Sequence, residues 1–220
     1  METVMLKQKT AADAVYEQLK EDIITLYYKP GEKLSEAKIA QRYGVSRDPV
    51  RKSVSRLVQE GLVVSKPQSG TFVQEVSLKQ GQDVCDIRCV LETYAIRKAI
   101  GHVSKEKLDQ LSAMLEKAKR MMDFDSEEAR QLIYAADGAM HQTIWDASGN
   151  EMVAKTIKSY DAYVRRIQIS NMIYHSRKQA TMEEMEAIVS ALRANDVDKA
   201  EEAMRIHISN IKKTLGSSNS

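Results

Sequence analysis

The chain has 220 residues, 43 % of them hydrophobic and 29 % charged, with a formal net charge of +2. Such a composition supports a packed core and excludes a wholly disordered or collagen-like chain. No apolar run reaches the ~18 residues of a membrane span, no basic-then-apolar leader opens the chain, and two cysteines, Cys85 and Cys89, make no disulfide framework; a reducing cytoplasm is the expected compartment.

The small net charge is unevenly placed. Residues 36–72 carry Lys38, Arg42, Arg47, Arg51, Lys52, Arg56 and Lys66 against only Glu36, Asp48 and Glu60. A local basic excess of this kind is the electrostatic footprint of a polyanion binder. Pro30, Pro49 and Pro67 all lie in the first third, and beyond Gly81 the sequence reads as nearly unbroken helix. The polar segment 77–82 is read as a linker, dividing the chain into residues 1–76 and 83–220.

In chain order, Val15, Leu19, Ile23 and Leu26 form one apolar stripe of a first helix. Pro30-Gly31 ends it in a turn. Ser35 is placed to cap a second helix, and Gly44 to close it in the left-handed conformation. Ser46 then opens a third helix, with Pro49 in its first turn, where a missing N–H is tolerated. Val50, Val54, Leu57 and Val58 form its inner face, while Arg47, Arg51, Lys52 and Ser55 point elsewhere. Leu62 to Lys66 and Thr71 to Val76 read as strands joined by the Pro67–Gly70 turn.

Helix, helix, tight turn, helix, hairpin is the layout of a winged helix-turn-helix. The third helix fits a major groove, with its N-terminal residues at base edges. Its start offers a positive dipole to phosphate. Arg47 and Arg51 share one face, where either can fork onto a guanine edge or a phosphate; the plainer reading is an ordinary solvated face. Lys66, Gln68, Ser69 and Gly70 form a wing tip suited to a minor groove, Gly70 permitting close backbone approach.

Pro30-Gly31-Glu32-Lys33-Leu34-Ser35-Glu36, Ala40, Gly44 through Arg51, Leu57, Glu60-Gly61-Leu62-Val63 and Gly70-Thr71-Phe72-Val73 together resemble the winged-helix domain of GntR-family bacterial transcription regulators. The resemblance implies DNA contacts from Ser46, Arg47 and Arg51 and from the wing around Gly70. Asp48 departs from the family, which often has Thr there; a carboxylate repels phosphate but accepts from cytosine N4. Lys52 and Ser53 stand where Glu-Ala is common, and Ala37 where one branch has an arginine. The DNA-facing set is Ser46, Arg47, Asp48, Arg51, Lys52, Lys66, Gln68, Ser69 and Gly70.

The remaining residues divide into about six helices, so short connections predict a bundle. The first runs from Asp83 to about Gly101. The second is capped by Ser104 and carries Leu108, Leu111, Leu115 and Met122. Asp125 with Glu128 has the spacing of a capping box before the third, which carries Leu132, Ala136, Met140 and Ile144. A long fourth runs from Asn150 to about His175. Thr181 with Glu184 reads as the cap of the fifth, and Asp196 opens the sixth. Asp137 and His141, four apart, and His207 sit on or beside apolar stripes, as does Arg88. An Asp and two His converging in a bundle can hold a divalent metal, and a buried Arg can grip a small acid bidentately. Asp137 and His141 also read as a plain buried hydrogen-bonded pair.

Arg88, Leu91-Glu92, Asp137-x-x-x-His141, Ser148-Gly149-Asn150, Glu184-x-Glu186 and Asn195-Asp196 leading to Met204 and His207 resemble the FadR-type (FCD) effector domain of the same family, in its VanR-type branch. Many members hold a metal through one Asp and three His. Here Asp137, His141 and His207 match, but Met185 stands at the middle histidine, and a thioether is a poor ligand for such ions. The resemblance thus implies an effector site of Arg88, Glu92, Asp137, His141 and His207, with a Zn, Ni or Mn ion or none.

The expected whole is a mainly helical, homodimeric, sequence-specific regulator, a repressor reading a palindromic duplex operator, with a carboxylate effector. Two alternatives are a metal-dependent hydrolase-like helical enzyme and an effector-free architectural DNA binder.

Overall fold

A computed structural model describes residues 10–75, 77–121, 126–160, 163–164, 166 and 175–217. The chain forms two compact units that meet between Val76 and Ser77. Nine helices and one small sheet occur among the described residues.

The first unit begins with α1 (Ala11–Ile24), whose N-terminus is closed by a reciprocal capping box between Thr10 and Asp13. Val15, Leu19 and Ile23 are buried as the stripe requires. Leu26 falls beyond the helix, with φ at 62°. α2 (Glu36–Tyr43) is capped by Ser35 Oγ, which accepts from Lys38 N, and it ends on Gly44 at φ 66°. α3 (Arg47–Gln59) buries Val50, Ser53, Val54 and Leu57. Ser53 Oγ donates to the Ala12 carbonyl at 2.8 Å and joins α3 to α1. The hairpin of β2 (Val63–Lys66) and β3 (Gly70–Val73) is antiparallel. A third strand, β1 (Lys33–Leu34), was not expected. It adds to β3, giving the order β1-β3-β2, because the Pro30–Gly31 turn returns the chain alongside Val73. Val76, expected in the last strand, lies outside the described residues.

The second unit contains six helices among the described residues. α4 (Leu78–Ala99) starts earlier than the sequence suggests: Ser77 Oγ accepts from Gln80 N, so Leu78 to Gln82 form its first turn rather than a linker. α5 is Lys105–Lys119, capped by Ser104. α6 (Glu127–Ala147) is capped by Ser126, whose Oγ accepts from Ala129 N. Asp125 and Met122 lie outside the described residues.

α7 (Glu151–Ser159) is capped by Asn150 and breaks inside the expected helix to His175: at Tyr160 the amide turns back to Ile157 O, three residues away, with no Gly or Pro to signal it. Tyr163, Val164 and Arg166 are helical again, and Val164 N donates to Tyr160 O at 2.9 Å. Residues 161–162, 165 and 167–174 of that expected helix lie outside the described set. α8 (His175–Ala194) runs through Thr181, which is buried mid-helix and is no cap. Good helix formers precede it, and Glu184 bonds elsewhere. α9 (Val197–Ser217) opens with Asp196 Oδ1 accepting from Lys199 N. α4 packs along α9 and against α6, while α8 packs against α5, α6 and α9. Side chains from α4, α6, α8 and α9 therefore meet inside the unit.

Candidate functional site

The first candidate surface is the N-terminal half of α3. Its apolar side is fixed on α1 and α2, so Ser46, Arg47, Asp48, Arg51 and Lys52 are all exposed. Ser46 occupies the N-cap position but makes no side-chain cap bond. The reason is Pro49, which stands at the third helical position and has no amide hydrogen to offer. Asp48 is engaged within the helix. Its Oδ1 accepts from Arg51 Nη2 at 2.8 Å, and its Oδ2 lies 2.8 Å from Lys52 Nζ. Lys52 and Arg51 together hold the Asp48 carboxyl below the usual carboxylate range. No ion pair engages Arg47 among the described residues. α3 is braced by Arg56, which pairs with Asp13 at 2.8 Å and stacks 3.7 Å from the Tyr16 ring centroid.

The wing tip presents Lys66, Gln68 and Ser69 to solvent, with Gly70 half-buried. Lys33 on β1 and Lys66 on β2 both place Nζ over Phe72, at 5.8 and 5.2 Å. Gly70 has φ 116°, and a Cβ there would lie 2.8 Å from Lys33 Cε. Lys33 was missed as a wing residue because only the sheet pairing brings it beside Lys66.

The second candidate is a buried polar centre. α6 contributes Asp137, His141 and Trp145, each four residues from the last; α9 contributes His207, α4 contributes Arg88 and Glu92, and α8 contributes Glu184. Arg88, Glu92, Asp137, His141 and His207 are all at most 2 % exposed. Glu92 Oε1 accepts from Arg88 Nε at 2.6 Å, and Glu92 Oε2 faces His141 Nδ1 and Trp145 Nε1. Arg88 Nη2 lies 3.2 Å from His141 Nε2. Glu184 Oε2 lies 2.9 Å from His207 Nδ1, and the same carboxylate accepts from Arg177 and Asn210.

Both imidazoles thus have Nδ1 fixed by a carboxylate, and both aim Nε2 at Asp137 Oδ1, at 3.7 Å for His141 and 3.3 Å for His207. Asp137, His141 and His207 offer ligand atoms within 4.8 Å of one another. Bonds of about 2.1 Å from nitrogen or oxygen to one ion place neighbouring ligands about 3.0–3.5 Å apart. Carboxylates on the far ring nitrogens are the usual support of metal-bound histidines. The three side chains therefore fit a divalent ion. Met185 is fully buried on α8.

The electrostatics agree with a cation site. Burial pushes the Glu92 carboxyl up, but Arg88 and His141 outweigh it and hold Glu92 well below its ordinary range. Asp137 is treated alike by burial against His141 and His207. Burial disfavours a charged His207, yet hydrogen bonds to Asp137 and Glu184 raise its pKa to about 9. One expectation changes: Glu92 already occupies the Nε side of Arg88, so that edge cannot grip an incoming acid.

Glu184 and Trp145 were not among the expected site residues. Trp145 was signalled by its spacing from Asp137 and His141. Glu184 precedes His207 by 23 residues, and only the antiparallel return of α9 along α8 unites them.

Residues 11–73 match the family described as "Bacterial regulatory proteins, gntR family", and residues 83–210 match the FCD domain. The chain is 27 % identical to the HTH-type transcriptional repressor RspR of Escherichia coli K12, over 98 % of this chain and 93 % of that protein. Among solved structures, Escherichia coli McbR/YncC superposes with a TM-score of 0.81 at 20 % identity, covering 97 % of this chain and all of that one. A transcriptional regulator from Rhodococcus sp. RHA1 gives 0.79 at 17 % identity, over 95 % and 99 % of the two chains. These two likenesses speak to the fold. Members of the matched family are transcription regulators, which sets aside the hydrolase-like alternative. With both matches in order along its length, the chain belongs to the GntR family of bacterial transcription regulators, in the group that carries an FCD domain.

Proposed function

We propose that the chain is a homodimeric, cytoplasmic repressor of sequence-specific type. Two winged units read the half-sites of a palindromic operator, and a small carboxylate effector in the buried centre alters operator affinity. Residues 1–76 serve DNA, and residues 83–220 serve effector binding and dimerisation. The VanR-type branch belongs to the same reading, on the sequence expectation of about six helices.

On α3, Arg47 and Arg51 reach bases or phosphates, Lys52 lies along the backbone, and Ser46 has its hydroxyl unspent on capping and able to donate to a phosphate. Asp48 holds Arg51 and Lys52 when DNA is absent and selects against wrong bases when it is present. Lys66, Gln68, Ser69 and Gly70 follow the minor groove.

The observation that carries the effector reading is the convergence of two carboxylate-backed imidazoles on Asp137, with a guanidinium alongside. Asp137, His141 and His207 would hold a Zn, Ni or Mn ion, which when bound supplies a Lewis-acidic anchor for a carboxylate. Arg88 adds charge, and Glu92 orients both Arg88 and His141. Control of the operator requires that the effector bind two states of the dimer with different free energies.

The test couples two titrations. Arg47→Ala is expected to weaken operator binding by roughly 1–3 kcal/mol in fluorescence anisotropy; an unchanged affinity removes Arg47 from the interface. His141→Ala is expected to abolish calorimetric binding of Zn²⁺, Ni²⁺ or Mn²⁺ alone while operator binding persists; wild-type metal affinity refutes the centre. An effector-free architectural binder would instead show a steep salt slope and no preferred sequence.

A further inference from the structure

α4 carries both cysteines of the chain, Cys85 and Cys89, four residues apart in the helix interior. Neither the DNA-facing surface nor the buried centre uses them. Cys85 is buried and Cys89 is half-buried, so the pair has one sheltered member and one that solvent reaches.

Side chains four apart on a helix are neighbours, with Cβ atoms about 5–6 Å apart, and the later one leans back over the earlier. That gap decides which thiol chemistry is open to the pair. A disulfide needs Cβ atoms about 3.5–4.5 Å apart around an S–S bond of about 2.05 Å, so it closes only if α4 distorts. A metal ion held by two sulfurs at about 2.3 Å each separates them by roughly 4.6 Å, which an undistorted helix can supply. Zinc needs two further ligands. Among the described residues, however, the cluster of three or more His, Cys, Asp or Glu is Asp137, His141 and His207, and neither cysteine belongs to it. Cu(I) is selected by thiolate sulfur and is satisfied by two such ligands in a line.

The surrounding charge agrees. Two thiolates around a monovalent ion leave one net negative charge, and the cations acting on Cys85 are Arg88 on α4 and Lys212 on α9, against Asp86. Without an ion, burial pushes the Cys85 thiol up in spite of both cations. It then stays protonated and reacts poorly with oxidants.

We propose that Cys85 and Cys89 form a soft-metal site that takes one Cu(I) ion between their two sulfurs. The ion replaces two S–H protons, which pass to solvent, and no electron is transferred. The site differs from the Asp137 centre in its ligands and in the ion it selects, yet it lies on the helix that presents Arg88 to that centre.

The full-length chain, reduced and under argon, is titrated with Cu(I) against a colorimetric Cu(I) chelator. One equivalent per chain is expected to bind, with an ultraviolet thiolate-to-copper band. Cys85→Ala and Cys89→Ser are each expected to lose the band and to weaken Cu(I) binding by at least an order of magnitude. A melting curve equal to that of the wild type shows that Cys89→Ser is folded, and this variant decides if Cys85→Ala is not. Independently of any substitution, Cu(I) is expected to protect Cys89 of the wild-type chain from iodoacetamide, read by mass. A Cys89→Ser chain that binds Cu(I) like the wild type, or a Cys89 alkylated at the same rate with and without Cu(I), overturns the site.

Discussion

Two residues decide how the DNA-facing surface is set before DNA arrives. Pro49 removes the amide that Ser46 would cap, and Asp48 holds Arg51 and Lys52 in place. Asp48→Ala is expected to release both cations. Affinity for random duplex should rise and discrimination for the operator should fall, read as the ratio of the two dissociation constants at fixed salt; an unchanged ratio refutes the clamp. In the buried centre, Glu184 fixes the ring of His207 without being a ligand itself. Glu184→Gln keeps the shape but weakens that support, and is expected to lower Ni²⁺ affinity about 10–100-fold by calorimetry, with little change in operator affinity of the metal-free protein. Met185→His is expected to tighten the same binding if position 185 faces the ions; no gain places its side chain elsewhere.

At the scale of elements, the wing and the third helix were the most legible parts. Gly44, Ser35 and the Pro67–Gly70 turn are local signals, and each acts where the sequence puts it. Gly70→Ala tests the wing: the new Cβ meets Lys33 at a positive φ that alanine adopts reluctantly. It should weaken operator binding more than it lowers the melting temperature, and an equal loss of both would mean that Gly70 serves folding alone.

What the sequence hid was non-local. β1 is two residues long and exists only through pairing with β3. The break after Ser159, inside the expected long helix, has no Gly or Pro to announce it. Thr181-x-x-Glu184 has the letters of a cap, but burial of Arg177 and Lys178 on the same helix carries α8 through it. In the buried centre, Asp137 and His141 were readable from their spacing of four. Glu184 and the capture of Arg88 by Glu92 depend on how four helices meet, which no periodicity encodes.

For the whole molecule, protonation, metal and folding are linked. His207 has its pKa raised from 6.5 to about 9 by Asp137 and Glu184. A raised pKa stabilises the fold fully below pH 6.5, and that stabilisation is lost as pH rises through about 9. Metal-free protein is therefore expected to melt at progressively lower temperature from pH 6.5 toward 9, and His207→Gln to flatten the trend. A ligand must displace the His207 proton, so Ni²⁺ affinity is expected to rise with pH over pH 6–8. Calorimetry in buffers of different ionisation enthalpy should register the released proton; none released would mean a neutral His207.

Arg88 and Val90 stand two residues apart on α4, one turned toward the histidines and the other toward solvent. Whatever binds beside the histidines therefore touches the same two turns of helix that show Val90 to solvent on their far side.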